Sequence, residues 1–169
     1  MDILETIFTR RSIRKYTGEP VGEDELKLIL KAGFYAPSAH NKQPWHFVVI
    51  RDPEKLQKIS DGHKYSKMLP QAGCAVIVCG DRNIEELTGF LVENCSAAIE
   101  NMLLAAHGIG LGAVWCGLYP VTKLTELVAG LLGLPSKIVP VGMVVIGHGA
   151  EAREVTDRYD ESRIHLDQW

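Results

Sequence analysis

Cysteine is scarce in this 169-residue chain, and the four present, Cys74, Cys79, Cys95 and Cys116, form no CxxC pair and follow no disulfide spacing. A small secreted scaffold held by disulfides is thereby excluded. Residues Met1-Asp2-Ile3-Leu4-Glu5 lack the basic and apolar regions of a secretory signal, so a reducing cytoplasm with free thiols is expected. Basic charge is not in excess either. Eighteen Lys and Arg against 21 Asp and Glu give a formal net charge of -3, which offers no general pull toward nucleic acid or an anionic membrane. An uninterrupted apolar span is also missing. Residues 102–121 carry no Asp, Glu, Lys or Arg, but His107, Gly108, Gly110, Gly112, Gly117 and Pro120 break them up. They read as a buried helix end running into a strand rather than as a bilayer span.

Repeats, low-complexity tracts and Ser/Gly linkers are absent. The six histidines show no ligand spacing, and no HExxH, GxSxG or Walker pattern occurs, so the sequence points to no metal site and no protein nucleophile. Cys74 and Cys79, five apart on one expected strand, face opposite sides and read as small core residues.

What is present is ordinary globular material, 46% hydrophobic and 23% charged, enough for one sizeable core. Ile3, Leu4, Ile7 and Phe8 form a helical stripe, and Leu26, Ile29, Leu30 and Gly33 form another behind the acidic start Glu23-Asp24-Glu25. Residues 46–50 and 75–79 are continuous apolar runs of strand length, expected to be buried on both faces. Between them, residues 52–69 read as a polar helix and a loop. Leu87, Phe90, Leu91, Cys95, Ala98, Ile99, Met102, Leu103 and Ala106 recur at three- and four-residue steps, a core helix of roughly five turns. A strand over 113–117 follows, then a helix over 123–132 with Thr122 as N-cap and Gly133 closing it. A last buried strand covers 139–146. Helices and strands without strict alternation favour an α+β sandwich over a doubly wound sheet.

Three segments could carry chemistry. Arg10-Arg11-Ser12-Ile13-Arg14-Lys15 offers planar guanidinium forks and a hydroxyl suited to a phosphate monoester, or else a solvated basic surface. Ala36-Pro37-Ser38-Ala39-His40-Asn41-Lys42-Gln43-Pro44-Trp45 uses two prolines to fix the backbone, and would hold Ser38, Asn41 and Gln43 for hydrogen bonding unless it is simply a rigid loop. Gly108-Ile109-Gly110-Leu111-Gly112-Ala113 matches GxGxxA, but a helix precedes it and a strand follows. That reverses the dinucleotide fingerprint, so these glycines read as a tight turn with close backbone packing.

Together, and in this order, the Arg10–Tyr16 arm, the Ala36–Trp45 loop, Gly110-Leu111-Gly112-Ala113-Val114-Trp115, the strand ending in Ile146-Gly147, and Asp157-Arg158-Tyr159-Asp160-Glu161-Ser162-Arg163 resemble the FMN-dependent nitroreductase family in its short form. The resemblance covers the whole chain. It implies a three-layer α+β sandwich with a mixed, mostly antiparallel sheet flanked by helices. Residues 1–169 would form one FMN-binding domain, and two copies an intertwined homodimer with FMN at the interface. The charged tail, 151–169, would pack on the core or on the partner subunit.

Residue by residue, the resemblance assigns Arg10, Ser12 and Arg14 to the FMN phosphate and ribityl chain, and Arg11 to a backbone contact. Pro37, Ser38 and Asn41, with Gln43 beside them, would reach the flavin from the other subunit. Lys67 would stand at the pyrimidine edge, raising the reduction potential by stabilising negative charge near N1. Trp115, Cys116 and Gly117 would present backbone to the ring, and Arg158 would meet the phosphate. The implied activity is an NAD(P)H oxidoreductase passing hydride through flavin N5, ping-pong, from NADH or NADPH to a nitroaromatic, quinone or similar small acceptor. A non-enzymatic flavin carrier or sensor, and a flavin-consuming or dehalogenating branch, are the alternatives. Two departures stand out: Thr156 where many relatives carry lysine, and Cys116 where some carry an acid.

Overall fold

The computed structural model describes all residues, Met1–Trp169. In chain order the elements are α1 (Ile3–Thr9), α2 (Glu23–Phe34), β1 (Trp45–Ile50), α3 (Pro53–Gly62), β2 (Cys74–Asp81), α4 (Thr88–Gly108), β3 (Gly112–Gly117), α5 (Thr122–Leu132) and β4 (Ile138–Gly147). Local chemistry starts and stops them. The Asp2 carboxylate accepts the Glu5 N–H, and Asp52 accepts the N–H groups of Glu54 and Lys55 ahead of Pro53. Gly133 closes α5 at φ +65°. The α5 start lies one residue earlier than expected: Val121 holds the cap position, its carbonyl accepting from Leu124 and Thr125, and Thr122 is already helical. The turn that bonds Val121 N–H to the Leu118 carbonyl sets this boundary in place of a side-chain cap.

The four strands form one antiparallel sheet in the order β1-β2-β4-β3. Its parallel component is a single bridge between Ser12 and Ala113. β2 is buried along nearly its whole length, but β1 is not: His46 and Val49 are exposed. β1 is an edge strand, so a run apolar enough for the sheet centre is covered mainly on one side. Between Val78 and Cys79 the register slips, Val78 facing Gly142 and Cys79 facing Pro140, so Val141 is the extra residue of a β-bulge. Its carbonyl accepts the N–H groups of Leu118 and Tyr119, just after β3.

Strand alternation separates two apolar clusters. Val76, Val78, Val144 and Ile146 face α2 and α4, where Leu26, Ile29, Cys95, Ile99 and Met102 meet them. Ala75, Ile77, Met143 and Val145 face Leu56 and Ile59 of α3 and Val128 of α5. The sandwich is thus three-layered, and Cys74 and Cys79 fall on opposite faces as expected.

Two apolar sets do not reach this core. Thr6 is the buried residue of α1, while Ile3, Leu4, Ile7 and Phe8 are exposed. Thr9 bonds His107 at 2.8 Å, so α1 meets α4 through its polar side and turns its stripe outward. Leu87, the cap residue of α4, and Phe90 in its first turn are likewise exposed. The tail lies open beyond Glu151, with Val155, Tyr159, Ile164, Leu166 and Trp169 exposed. Within one chain it therefore does not pack on the core, being tied only where Arg11 reaches the carbonyls of Glu154 and Thr156.

Candidate active site

The arm after α1 is threaded along the end of the sheet. Ile13 N–H donates to the Ala113 carbonyl at 3.0 Å and Ala150 N–H to Lys15 at 2.8 Å. Glycines make the close approach possible: a Cβ on Gly112 would meet Ile13 at 2.9 Å, and one on Gly147 would meet the Tyr16 ring at 2.9 Å. The Tyr16 hydroxyl donates to the Ile13 carbonyl at 2.7 Å. Arg14 N–H donates to Glu151 at 2.6 Å, and this bond holds the Glu151 carboxyl below its ordinary range, aided by Arg153. The Arg14 guanidinium stays without a carboxylate partner, whereas Arg10, Lys42, Arg51, Arg153 and Arg163 all have one.

On the α3/α5 side of the sheet, a cavity of about 710 Å3 opens beside the end of β3. Val114, Trp115, Cys116 and Gly117 form one side, the segment 63–68 another, and Tyr119, Val121 and Leu124 a third, with Arg14 at the margin. Lys64 and Lys67 also line it and no Asp or Glu does. The Lys67 ammonium is fixed by the Ser60 carbonyl at 2.6 Å. Gly117 has open space where a Cβ would stand, so a ligand can lie close to the backbone there. Burial pushes the Cys116 thiol up to about 11, against the opposing charge of Arg14. The thiol is therefore neutral at ordinary pH, and it donates to the Tyr65 carbonyl at 3.7 Å.

A second cleft, about 420 Å3, adjoins at Arg14 and contains no apolar residue. Arg11, Ser12, Arg14, Thr156 and Arg158 line it, with Arg153 and Glu154. Arg11 spends its guanidinium on the carbonyls of Phe8, Arg10 and Glu154, at 2.8 to 3.1 Å, which leaves Arg14 and Arg158 to face the space beside Arg153, itself paired with Glu151. Arg10 is not in this cleft. It pairs with Glu100 of α4 at 3.4 Å and lines a separate cavity between α1 and the tail.

The Pro37, Ser38, Asn41 and Gln43 loop lies away from both spaces. It is held rather than loose. Ser38 Oγ accepts the Gln43 N–H at 3.0 Å, Asn41 accepts from the Gln43 amide at 3.0 Å, and Asn94 accepts the Ala39 N–H at 2.9 Å. Lys42 pairs at 3.1 Å with the buried Glu85, whose carboxyl sits below its ordinary range through the Leu87 N–H and Lys42. His40, Asn41 and Gln43 adopt φ of 53°, 53° and 50°, a strained run for non-glycine residues.

One chain thus brings together Arg14, Lys67, Trp115, Cys116 and Gly117 around one cavity, and Arg11, Ser12, Arg14 and Arg158 around the other, leaving Arg10 and the 37–43 loop outside. His63 escaped the sequence reading. It is 3% exposed, lines the larger cavity and bonds Gly117, 54 positions away. Histidine spacing carries no trace of that contact; only the fold creates it.

The model of the family described as "Nitroreductase family" matches residues 7–62 and 60–148. A protein of Methanothermobacter thermautotrophicus, provisionally named an NADH dehydrogenase/NAD(P)H nitroreductase, is 45% identical over 169 residues, covering 100% of this chain and 88% of its own. A crystal structure from Bacteroides thetaiotaomicron, under the same provisional name, superposes with a TM-score of 0.94 at 40% identity, covering 99% of this chain and 98% of that one. Another from Desulfovibrio desulfuricans, a provisionally named nitroreductase in complex with FMN, superposes with a TM-score of 0.86 at 32% identity, covering 100% and 98%.

Proposed function

Since this chain belongs to the nitroreductase family, we propose that it is an FMN-dependent NAD(P)H oxidoreductase reducing nitroaromatic, quinone or similar acceptors by a ping-pong cycle. The observation that carries this reading is the junction of two unlike spaces at Arg14: a largely apolar cavity and a wholly polar, arginine-lined cleft. Such a pair fits a ligand with a planar ring at one end and a phosphate dianion at the other. When bound, FMN supplies hydride chemistry at N5, between a reduced nicotinamide and the acceptor.

The chain's own residues bind and orient. Arg14 and Arg158, with the Ser12 hydroxyl, receive the phosphate. Arg10 is held back by Glu100 and contributes charge from behind the arm. The ends of β3 at Cys116 and Gly117 present backbone to the ring, and the room beside Gly117 supports that approach. Lys67, held by Ser60, places positive charge at the cavity wall. Cys116 is a neutral packing and hydrogen-bonding group rather than a nucleophile.

Residues 1–169 act as one unit that is completed by a second copy. The outward stripe Ile3, Leu4, Ile7 and Phe8 and the open, apolar-bearing tail support this, because so much apolar surface exposed in sequence-local groups marks an association surface. In that dimer the Pro37, Ser38, Asn41 and Gln43 loop serves the partner's flavin, which accounts for a rigid, strained loop that serves no cavity of its own chain. Four free cysteines support a cytoplasmic setting.

The test is an absorbance spectrum of the purified protein, repeated after anaerobic NADH and then NADPH. Flavin bands near roughly 370 and 450 nm that bleach within seconds are the expected outcome. A yellow protein that neither nucleotide bleaches is a carrier or sensor. A colourless protein that takes up no added FMN overturns the reading.

A further inference from the structure

We propose that His63 is a positioning residue, a neutral imidazole that fixes the carbonyl of Gly117 and so sets where the end of β3 lies relative to the segment carrying Lys67. Its bearing on flavin rests on the function proposed above; the clamp itself rests on geometry. The ring is buried, and both nitrogens are engaged. Nδ1 lies 3.2 Å from the Tyr65 backbone nitrogen, which can only donate, so Nδ1 accepts. The single proton of a neutral ring is then on Nε2, which donates to the Gly117 carbonyl at 3.0 Å. Cys116 closes the same clamp from the other side, its thiol donating to the Tyr65 carbonyl. The segment after α3 is thus tied to the last two residues of β3 by two bonds, with the Tyr65 N–H to Nδ1 bond holding the ring within the segment, and the Lys67 ammonium is tied to α3 through Ser60.

Adding a proton to this ring would set the Nδ1–H against the Tyr65 N–H and cost the bond that orients the ring, while the Nε2–H would still face the Gly117 carbonyl. The titratable and charged groups that line the cavity with His63 are Arg14, Lys64, Tyr65, Lys67, Cys116 and Tyr119. No carboxylate is among them, and Asp61, two positions before, bonds Gln57 instead.

Two measurements test the assignment. First, the apoprotein labelled with nitrogen-15 histidine should show His63, identified by its loss in His63→Gln, as the Nε2–H tautomer at neutral pH. An Nδ1–H tautomer or an imidazolium there overturns the proposal. Second, FMN affinity by fluorescence titration should fall about tenfold or more in His63→Phe, which keeps ring bulk but makes neither bond, and stay within about threefold in His63→Gln, which keeps an N–H donor at the ε position. Equal loss in both variants, or none in His63→Phe, overturns it. If His63→Phe does not fold, the tautomer decides alone. A wild-type chain that takes up no FMN would sink the functional reading instead, and the tautomer would still decide the clamp.

Discussion

The two faces of the sheet are built from the same alternating strands yet end differently. The α4 face is sealed: a 21-residue helix lies along it, with Leu91, Cys95, Ala98, Ile99 and Met102 fully buried against Val76, Val78 and Val144. The opposite face is roofed by α3 and α5, of 10 and 11 residues. They leave a corner open at the end of β3, and that corner is the cavity beside Cys116 and Gly117. One face therefore stores stability, and the other gives some up to make room for a ligand.

Mutations can break or sharpen this contrast. The largest effect is expected on the sealed face, where Ile99→Ala should cost about 2–5 kcal/mol in denaturant unfolding while leaving FMN affinity of the folded protein unchanged. A matching drop in affinity would show that the faces are coupled. On the open face, Arg14→Ala should weaken FMN binding by roughly 1.5–3 kcal/mol, about 10- to 150-fold, with little change in unfolding midpoint. Lys67→Ala should lower the bound flavin's potential by something on the order of 30 mV, about 1.4 kcal/mol for two electrons; an unmoved potential would remove Lys67 from the ring.

Acid offers a subtler test. The Glu151 carboxyl is depressed by its bond to the Arg14 N–H, so its stabilisation is present above the ordinary carboxylate range and lost as pH falls through its lower folded value. Glu151→Gln should flatten that part of the acid-stability profile. Smallest of all, Cys116, at about 11, should alkylate slowly with iodoacetamide at neutral pH and faster as pH rises toward that value. Rapid neutral labelling would mean a charged, not a packing, role.

The sequence pattern was readable wherever local periodicity and burial agree. The α4 stripe from Leu91 to Ala106, the buried runs of β2 and β4, the Gly133 stop and the turn of Gly110 and Gly112 follow from it. It said less about which way an apolar face turns. The α1 stripe has the right spacing but turns outward, and β1 has core composition at a sheet edge. For the site, the basic arm and the β3 end could be found because their chemistry is contiguous in sequence. His63, joined to Gly117 only by the fold, could not.

The bulge in β4 has a consequence for how this strand could be edited. Ile138 packs toward α3 and α5, Val139 and Val141 toward α4, and a Cβ on Gly142 would meet Ile99 on that same α4 side. Deleting Val141 would thus restore strict alternation from Ile138 to Ile146 and leave every remaining side chain on the face it now occupies. What the deletion would take away is the carbonyl that receives Leu118 and Tyr119. By that measure the residue is superfluous to the ladder and serves as a mooring for the chain that leaves β3 along the cavity.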